Sequence, residues 1–193
     1  MKSLVASATV LVACLIPLTL LAADPAAAPV ALFDGKTLDG WSVLTCEAEV
    51  QDGAILIKAG NGLVQTKEQY ADFILEVEWK ALKEERWDSG IYFRYLEVPK
   101  GRPWPAQYQV NLAQGQEGNL VGIPAGKSKG LVKDREWNRF RLTVRGTKAA
   151  LEINGKPAWE ADGLKQPKGY TALQAEVPNG GQFLFRNVRI TKL

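Results

Sequence analysis

From residue 72 the chain alternates. Asp72-Phe-Ile-Leu-Glu-Val-Glu-Trp-Lys80 sends Phe73, Leu75, Val77 and Trp79 to one side and Ile74, Glu76, Glu78 and Lys80 to the other, the period of a strand with one apolar face. The same period recurs downstream. Ile91, Phe93 and Tyr95 oppose Tyr92 and Arg94; Tyr108, Val110 and Leu112 oppose Gln107, Gln109 and Asn111; Phe140, Leu142 and Val144 oppose Arg139, Arg141, Thr143 and Arg145. Near the C-terminus Leu173, Ala175 and Val177 oppose Gln174 and Glu176, and Phe183, Phe185, Val188 and Ile190 mark a last strand. Asp52-Gly53 and Asn154-Gly155 separate further apolar runs and predict hairpin turns that need positive φ.

Helix signals are almost absent. About ten or more strands with alternating faces cannot be satisfied by one exposed sheet, so the pattern predicts an all-β fold: two antiparallel sheets packed face to face as a β-sandwich or jelly roll. Val98 to Pro105 departs from it. Its three prolines in eight residues forbid a central strand, and Trp104 between two of them predicts a stiff loop at a rim.

The first 23 residues are a different material. Met1-Lys2 is a short positive start, Leu4 to Leu21 is mostly apolar, and Ala22-Ala23 precedes Asp24, which reads as a secretory signal over 1–23. Two alternatives stand beside it, acylation of Cys14 as in a lipoprotein and an uncleaved anchor. Against acylation, the apolar run continues from Leu15 to Ala23 where a lipid-anchored cysteine would be followed by a polar tether. The expectation is a secreted or periplasmic protein with no stable membrane association after cleavage. A linker over 24–30, Ala- and Pro-rich, leads into one domain over 31–193. Cleavage would remove Cys14 and leave Cys46 alone, so the mature chain would have no internal disulfide. It must then rely on an apolar core, for which about 170 residues suffice.

Composition narrows the chemistry. The 193 residues include no His, which excludes every triad, general base and zinc site that needs an imidazole. A formal charge of +3 with acids and bases interspersed implies no nucleic-acid partner. Asp34, Asp39 and Asp52 lie beside or near glycines, but as turns, without the spacing of a Ca²⁺ loop, so neither metal nor cofactor is expected.

Four stretches carry a resemblance: Leu32-Phe-Asp-Gly-Lys-Thr-Leu-Asp-Gly-Trp41, Asp88-Ser-Gly-Ile-Tyr-Phe-Arg94, Glu136-Trp-Asn138 followed by Ile153-Asn-Gly155, and Phe185-Arg-Asn-Val-Arg-Ile190. In order and spacing they resemble the 3-keto-disaccharide hydrolase domain family, formerly a domain of unknown function, across essentially all of 31–193. The resemblance implies a concanavalin A-like jelly roll, related in shape to lectins and glucanases, that acts on glycosides oxidised to a ketone at C3. A C3 carbonyl acidifies the hydrogen on C2, so a base removes it, the enolate expels the C1 oxygen, and water adds to the resulting enone. Such a site needs a base, a cation or donor for the enolate oxygen, and an acid for the leaving group. Its partner would be an oxidised glycoside or disaccharide.

The polar sides of the strands are the pool of site residues: Glu76, Glu78, Tyr92, Arg94, Gln107, Gln109, Asn111, Arg141, Gln174 and Glu176. Arg94, two residues from Tyr92, reads either as a cation beside a phenol or as a surface arginine paired with Glu76 or Glu78. Glu176 stands where the family often has His, and Asp88 where Asn is usual; with Glu78 they are the candidate catalytic carboxylates. Asp88 and Glu78 also read as a turn cap and a surface carboxylate. Tyr92, Gln107, Gln109, Asn111, Arg141 and Gln174 are candidates for substrate binding. Trp104, and with it Trp87, is expected to stack on a sugar ring, whereas Trp41, Trp79, Trp137 and Trp159 are expected in the core. The neutral Gln107, Gln109, Asn111 row, and Glu176 in place of His, leave a second reading open, a lectin-like module without catalysis.

Overall fold

A computed structural model describes residues 27–124 and 126–193. The expected signal segment 1–23, Cys14 included, lies outside the described residues, as do residues 24–26 of the linker. Twelve strands and no helix occur among the described residues: β1 (Val30–Ala31), β2 (Trp41–Gln51), β3 (Ala54–Thr66), β4 (Phe73–Ala81), β5 (Gly90–Tyr95), β6 (Gln109–Asn111), β7 (Leu120–Val121), β8 (Asn138–Arg145), β9 (Lys148–Ile153), β10 (Lys156–Asp162), β11 (Tyr170–Val177) and β12 (Phe183–Lys192). They form one antiparallel hydrogen-bonded path, β10-β9-β8-β4-β12-β3-β11-β5-β6-β7, with β1 added to β12 and β2 to β3.

The long β3 joins the two halves of that path. Its first part, Ile55 to Ile57, pairs with β12, and its second, Gly60 to Gln65, pairs with β11. At the start of the second part Gly60 adopts φ +86°, and a Cβ there would lie 3.0 Å from both Cys46 Cα and Thr45 O, so the position admits glycine and little else. On the opposite strand Thr45 has φ +53°, and the β2–β3 register shifts on either side of Cys46 and Glu47. These bulges bend the ribbon and let the sheet curl. The apolar sides of both halves therefore meet: Leu75, Val77, Phe140 and Phe185 share one core with Ile91, Phe93, Val110 and Leu173. Trp79 stands edge-on to Phe140 at 5.5 Å between ring centroids. The curl is consistent with the expected β-sandwich.

Both predicted hairpin turns form. Asp52 and Gly53 have φ +50° and +76°, Asn154 and Gly155 +53° and +77°, the pair of positive angles that a two-residue turn matched to strand twist requires. The segment from Leu96 to Tyr108 contains no strand, as its prolines predict. It lies over the outer face of the β3, β11, β5 half, where Val98, Trp104 and Tyr170 pack on a second small cluster of Leu63, Tyr92, Tyr95 and Ala172.

Three expectations need correction. Strict alternation in β5 breaks at Arg94, whose φ is +48°: Tyr95 pairs with Tyr170 and Phe93 with Thr171, leaving Arg94 as the extra residue of a bulge. Tyr92 and Tyr95 consequently share a face, and Arg94 leaves it. Trp87, expected on a sugar, is 2% exposed and belongs to the core. Trp137, expected in the core, is half-buried and carries the Arg186 guanidinium 3.9 Å above its ring.

Candidate functional site

Because both apolar sides face one core, the polar pool divides between two outer faces. On the β4, β8, β9, β12 half, Glu76 pairs with Arg139 and Arg141, and Arg141 also donates to Glu152 at 3.1 Å. Glu78 accepts from Arg186 Nε at 2.8 Å. Glu78 and Arg141, expected at the site, thus belong to an ion-paired ladder on the far side of the core. Arg94 belongs to neither face. Its side chain is 0% exposed and donates to the carbonyls of Ala71, Gly146 and Gln166 and to Asp72 Oδ1 at 2.6 Å, so it ties loops together rather than meeting a ligand. Gln107 is exposed, precedes β6, and packs beside Gly122.

The remaining candidates converge on the β3, β11, β5, β6 half. Register sets the rows: Ala172 lies between Gln65 of β3 and Tyr92 of β5, and Tyr92 pairs with Gln109 of β6. Two residues on, Gln174 pairs with Leu63, and then Glu176 with Asn61. Alternation along β11 keeps Leu173 and Ala175 in the core, which sends Gln174 and Glu176 outward. β5 begins only at Gly90, and Asp88 precedes it with its N–H bonded to the Gly180 carbonyl at 2.9 Å. The turn after β11 therefore holds Asp88 close to Glu176. Ser89 Oγ donates to the Gln174 carbonyl at 2.8 Å and secures the same junction.

Side-chain hydrogen bonds run along this face. Gln109 Nε2 donates to Gln174 Oε1 at 2.5 Å, and Gln174 Nε2 donates to Glu176 Oε2 at 3.1 Å. Trp104 Nε1 donates to the Ala175 carbonyl at 3.1 Å, which fixes the half-buried indole beside the carboxylate end. At the other end Tyr95 Oη donates to Gln65 Oε1 at 2.7 Å. Asn111 is half engaged, its Oδ1 accepting from the Ala113 N–H at 3.0 Å.

The electrostatics are those of a partly dry pair of acids. Burial pushes the Glu176 carboxyl above its usual range, the nearby Asp88 charge pushes it further, and Lys83 opposes both. Burial likewise raises Asp88, against a hydrogen bond from the Ser89 N–H. The Tyr92 phenol is raised by burial first and then by the Asp88 and Glu176 charges. Neither carboxylate forms an ion pair among the described residues, in contrast to Glu76 and Glu78. The arrangement offers a proton acceptor, a proton donor and a phenol within one another's fields.

The structure also brings in residues outside the predicted set. Lys83 reaches from the β4–β5 loop to donate to the Asn179 carbonyl at 2.5 Å and the Arg86 carbonyl at 3.1 Å. It lies in the charged run Lys83-Glu-Glu-Arg86, which carries no signal beyond that of a solvated loop. Asn61 and Gln65 join through β3, whose pairing with β11 spans more than a hundred residues of sequence and is invisible to local periodicity.

No curated protein matches the chain. Among solved structures, a candidate glycosyl hydrolase from Parabacteroides distasonis ATCC 8503 superposes with a TM-score of 0.71 at 20% identity, covering 86% of this chain and 100% of that one. Carbohydrate-binding module CBM66 from Bacillus subtilis superposes at 0.62 with 13% identity, covering 79% and 96%. A Bacillus subtilis protein of unknown function with a galectin-like fold follows at 0.57 with 12% identity, covering 80% and 90%. At these identities the likeness is one of fold. Residues 28–191 match the 3-keto-alpha-glucoside-1,2-lyase-like domain, and the chain belongs to that family.

Proposed function

We propose that the protein is a secreted, concanavalin A-like β-sandwich that cleaves 3-keto-glycosides on the β3, β11, β5, β6 face, with Glu176 as base and Asp88 as acid. The observation that carries the reading is the unpaired, half-buried pair Asp88 and Glu176 beside Tyr92. Family membership and the carbohydrate-related neighbours support the substrate class.

Ionised Glu176 takes the proton from C2, made acidic by the C3 ketone. The C–H electron pair passes into the enolate, and its collapse forms the C1=C2 double bond as the C1–O bond breaks. Asp88, protonated more readily than an exposed carboxyl, gives its proton to the departing oxygen. Water then adds across the double bond, hydroxyl to C1 and hydrogen to C2, so the sum is hydrolysis. With Arg94 committed elsewhere, Tyr92 Oη is the donor for the enolate oxygen, and Trp104 is a platform for the ring. Two carboxylates acting in this way need not meet the spacing rules of ordinary glycosidases.

One observation favours a lectin-like alternative: Arg94 is buried among backbone carbonyls, and Lys83, the cation beside the pair, is engaged by the Asn179 and Arg86 carbonyls. The purified protein, incubated with a panel of 3-keto-disaccharides, decides between the two. Release of 3-keto-glucose supports catalysis; saturable binding with no release supports the module.

A further inference from the structure

Gln109 and Gln174 are unusual members of a sugar-facing row, since both are almost fully buried, at 8% and 3% exposure, and are bonded to each other. An ionised carboxylate only accepts hydrogen bonds, so Gln174 must turn its Nε2 toward Glu176. Its Oε1 then points the other way and must meet a donor, which is Gln109 Nε2. The charge on Glu176 thus dictates the orientation of both amides and leaves Gln109 Oε1, which accepts no hydrogen bond among the described residues, at the far end. Gly90 makes this possible. A Cβ at Gly90 would lie 2.0 Å from Gln109 Nε2, 2.6 Å from its Cδ and 2.7 Å from its Cγ, so the Gln109 side chain crosses the strand through the space that a glycine leaves.

We infer that Gln109 and Gln174 form a positioning relay, seated on Gly90, that holds the Glu176 carboxylate in one orientation and aims the Gln109 amide oxygen at a ligand hydroxyl. The inference deepens the reading of Glu176 as base and rests on it. Gln174 acts through Glu176 and does not itself touch the ligand. The other groups that face Glu176 are Asp88 and Lys83 from the segment between β4 and β5, Tyr92 from β5 and Asn61 across on β3.

The test is a ¹³C NMR titration of the Glu176 carboxyl, which needs no substrate, in the full protein and in Gln174→Leu, Gly90→Ala and Gln109→Leu, with thermal melts confirming that each is folded. Loss of an N–H donor to the ionised form raises the midpoint. The expected order is an upward shift in Gln174→Leu and a smaller one in Gly90→Ala, with Gln109→Leu reproducing the latter if the alanine variant does not fold. On a 3-keto-disaccharide, Gly90→Ala and Gln109→Leu should lower kcat by about tenfold or more, as misplacing a catalytic group does. An unchanged midpoint in folded Gln174→Leu overturns the relay. A shifted midpoint in a protein with no turnover on any 3-keto-disaccharide leaves the relay standing and removes the catalytic reading instead.

Discussion

The two outer faces of the curled sheet are built from the same alternation and carry opposite arrangements of charge. On the β4, β8, β9, β12 face every named acid has a guanidinium: Glu76 meets Arg139 and Arg141, Glu78 meets Arg186, Glu152 meets Arg141. On the β3, β11, β5, β6 face Asp88 and Glu176 have none, and their neighbours are amides, tyrosines and an indole. Half-exposed ion pairs neutralise charge and contribute little stability each. Unpaired, partly buried carboxyls are a net penalty to folding and a resource for proton transfer. The difference teaches that a polar strand face is informative only when its partner strands are known.

The largest expected effect is at Glu176. Glu176→Gln should lower turnover by about 10²–10⁴-fold while the protein remains folded, measured as release of 3-keto-glucose. Stability should move the other way. Because the folded chain raises the Glu176 carboxyl above its unfolded value, the folded state binds more protons between those two values, and stability falls as pH rises through that window. The glutamine variant escapes the penalty, so its Tm should exceed the wild type's at neutral pH and the gain should vanish in acid. The rate should pass through a maximum with pH, since turnover needs one carboxyl of the raised pair ionised while its neighbour still holds a proton.

Next comes Arg94, which sharpens the comparison by belonging to neither face. Arg94→Met removes a buried cation and strands three carbonyls and Asp72, so denaturant unfolding should show a loss of about 3–5 kcal/mol. A variant that kept full stability but lost turnover would return Arg94 to the site. Trp104→Ala should raise KM about fivefold with a smaller change in kcat, the loss of a stacking surface worth about 1 kcal/mol. Smallest is Glu78→Gln on the far face, with less than about 1 kcal/mol of stability and no change in turnover. A large loss of activity there would break the division between the faces.

Much of the fold was legible in the residues because strands with one buried face must alternate. Leu75, Val77, Phe140 and Leu173 are in the core where their period places them, and both two-residue turns have the positive φ that Asp-Gly and Asn-Gly supply. What escaped is what breaks the period. The bulge at Arg94 needs positive φ at a residue that shows no preference for it, and so it took Arg94 off both faces and turned Tyr95 outward. A second bulge, with Asn187 at φ +53°, lies between Arg186 and Arg189 in β12, and there the apolar residues Phe185 and Val188 already marked the shift. Of the site, Tyr92, Gln109, Gln174 and Glu176 were legible as outward residues; that Glu78 and Arg141 lie on another face was not, because strand order is a property of long-range pairing. Trp87 and Trp137 exchanged expected places for a related reason. Neither lies in a strand, so no period fixes its side.

The most direct test is cleavage of a 3-keto-disaccharide in deuterated water, followed by NMR of the released 3-keto-glucose, for the wild type, Glu176→Gln and Glu78→Gln. The account predicts deuterium at C2 and full release with the wild type and Glu78→Gln, and neither with folded Glu176→Gln. Release that retains hydrogen at C2, or that persists in Glu176→Gln, would contradict it.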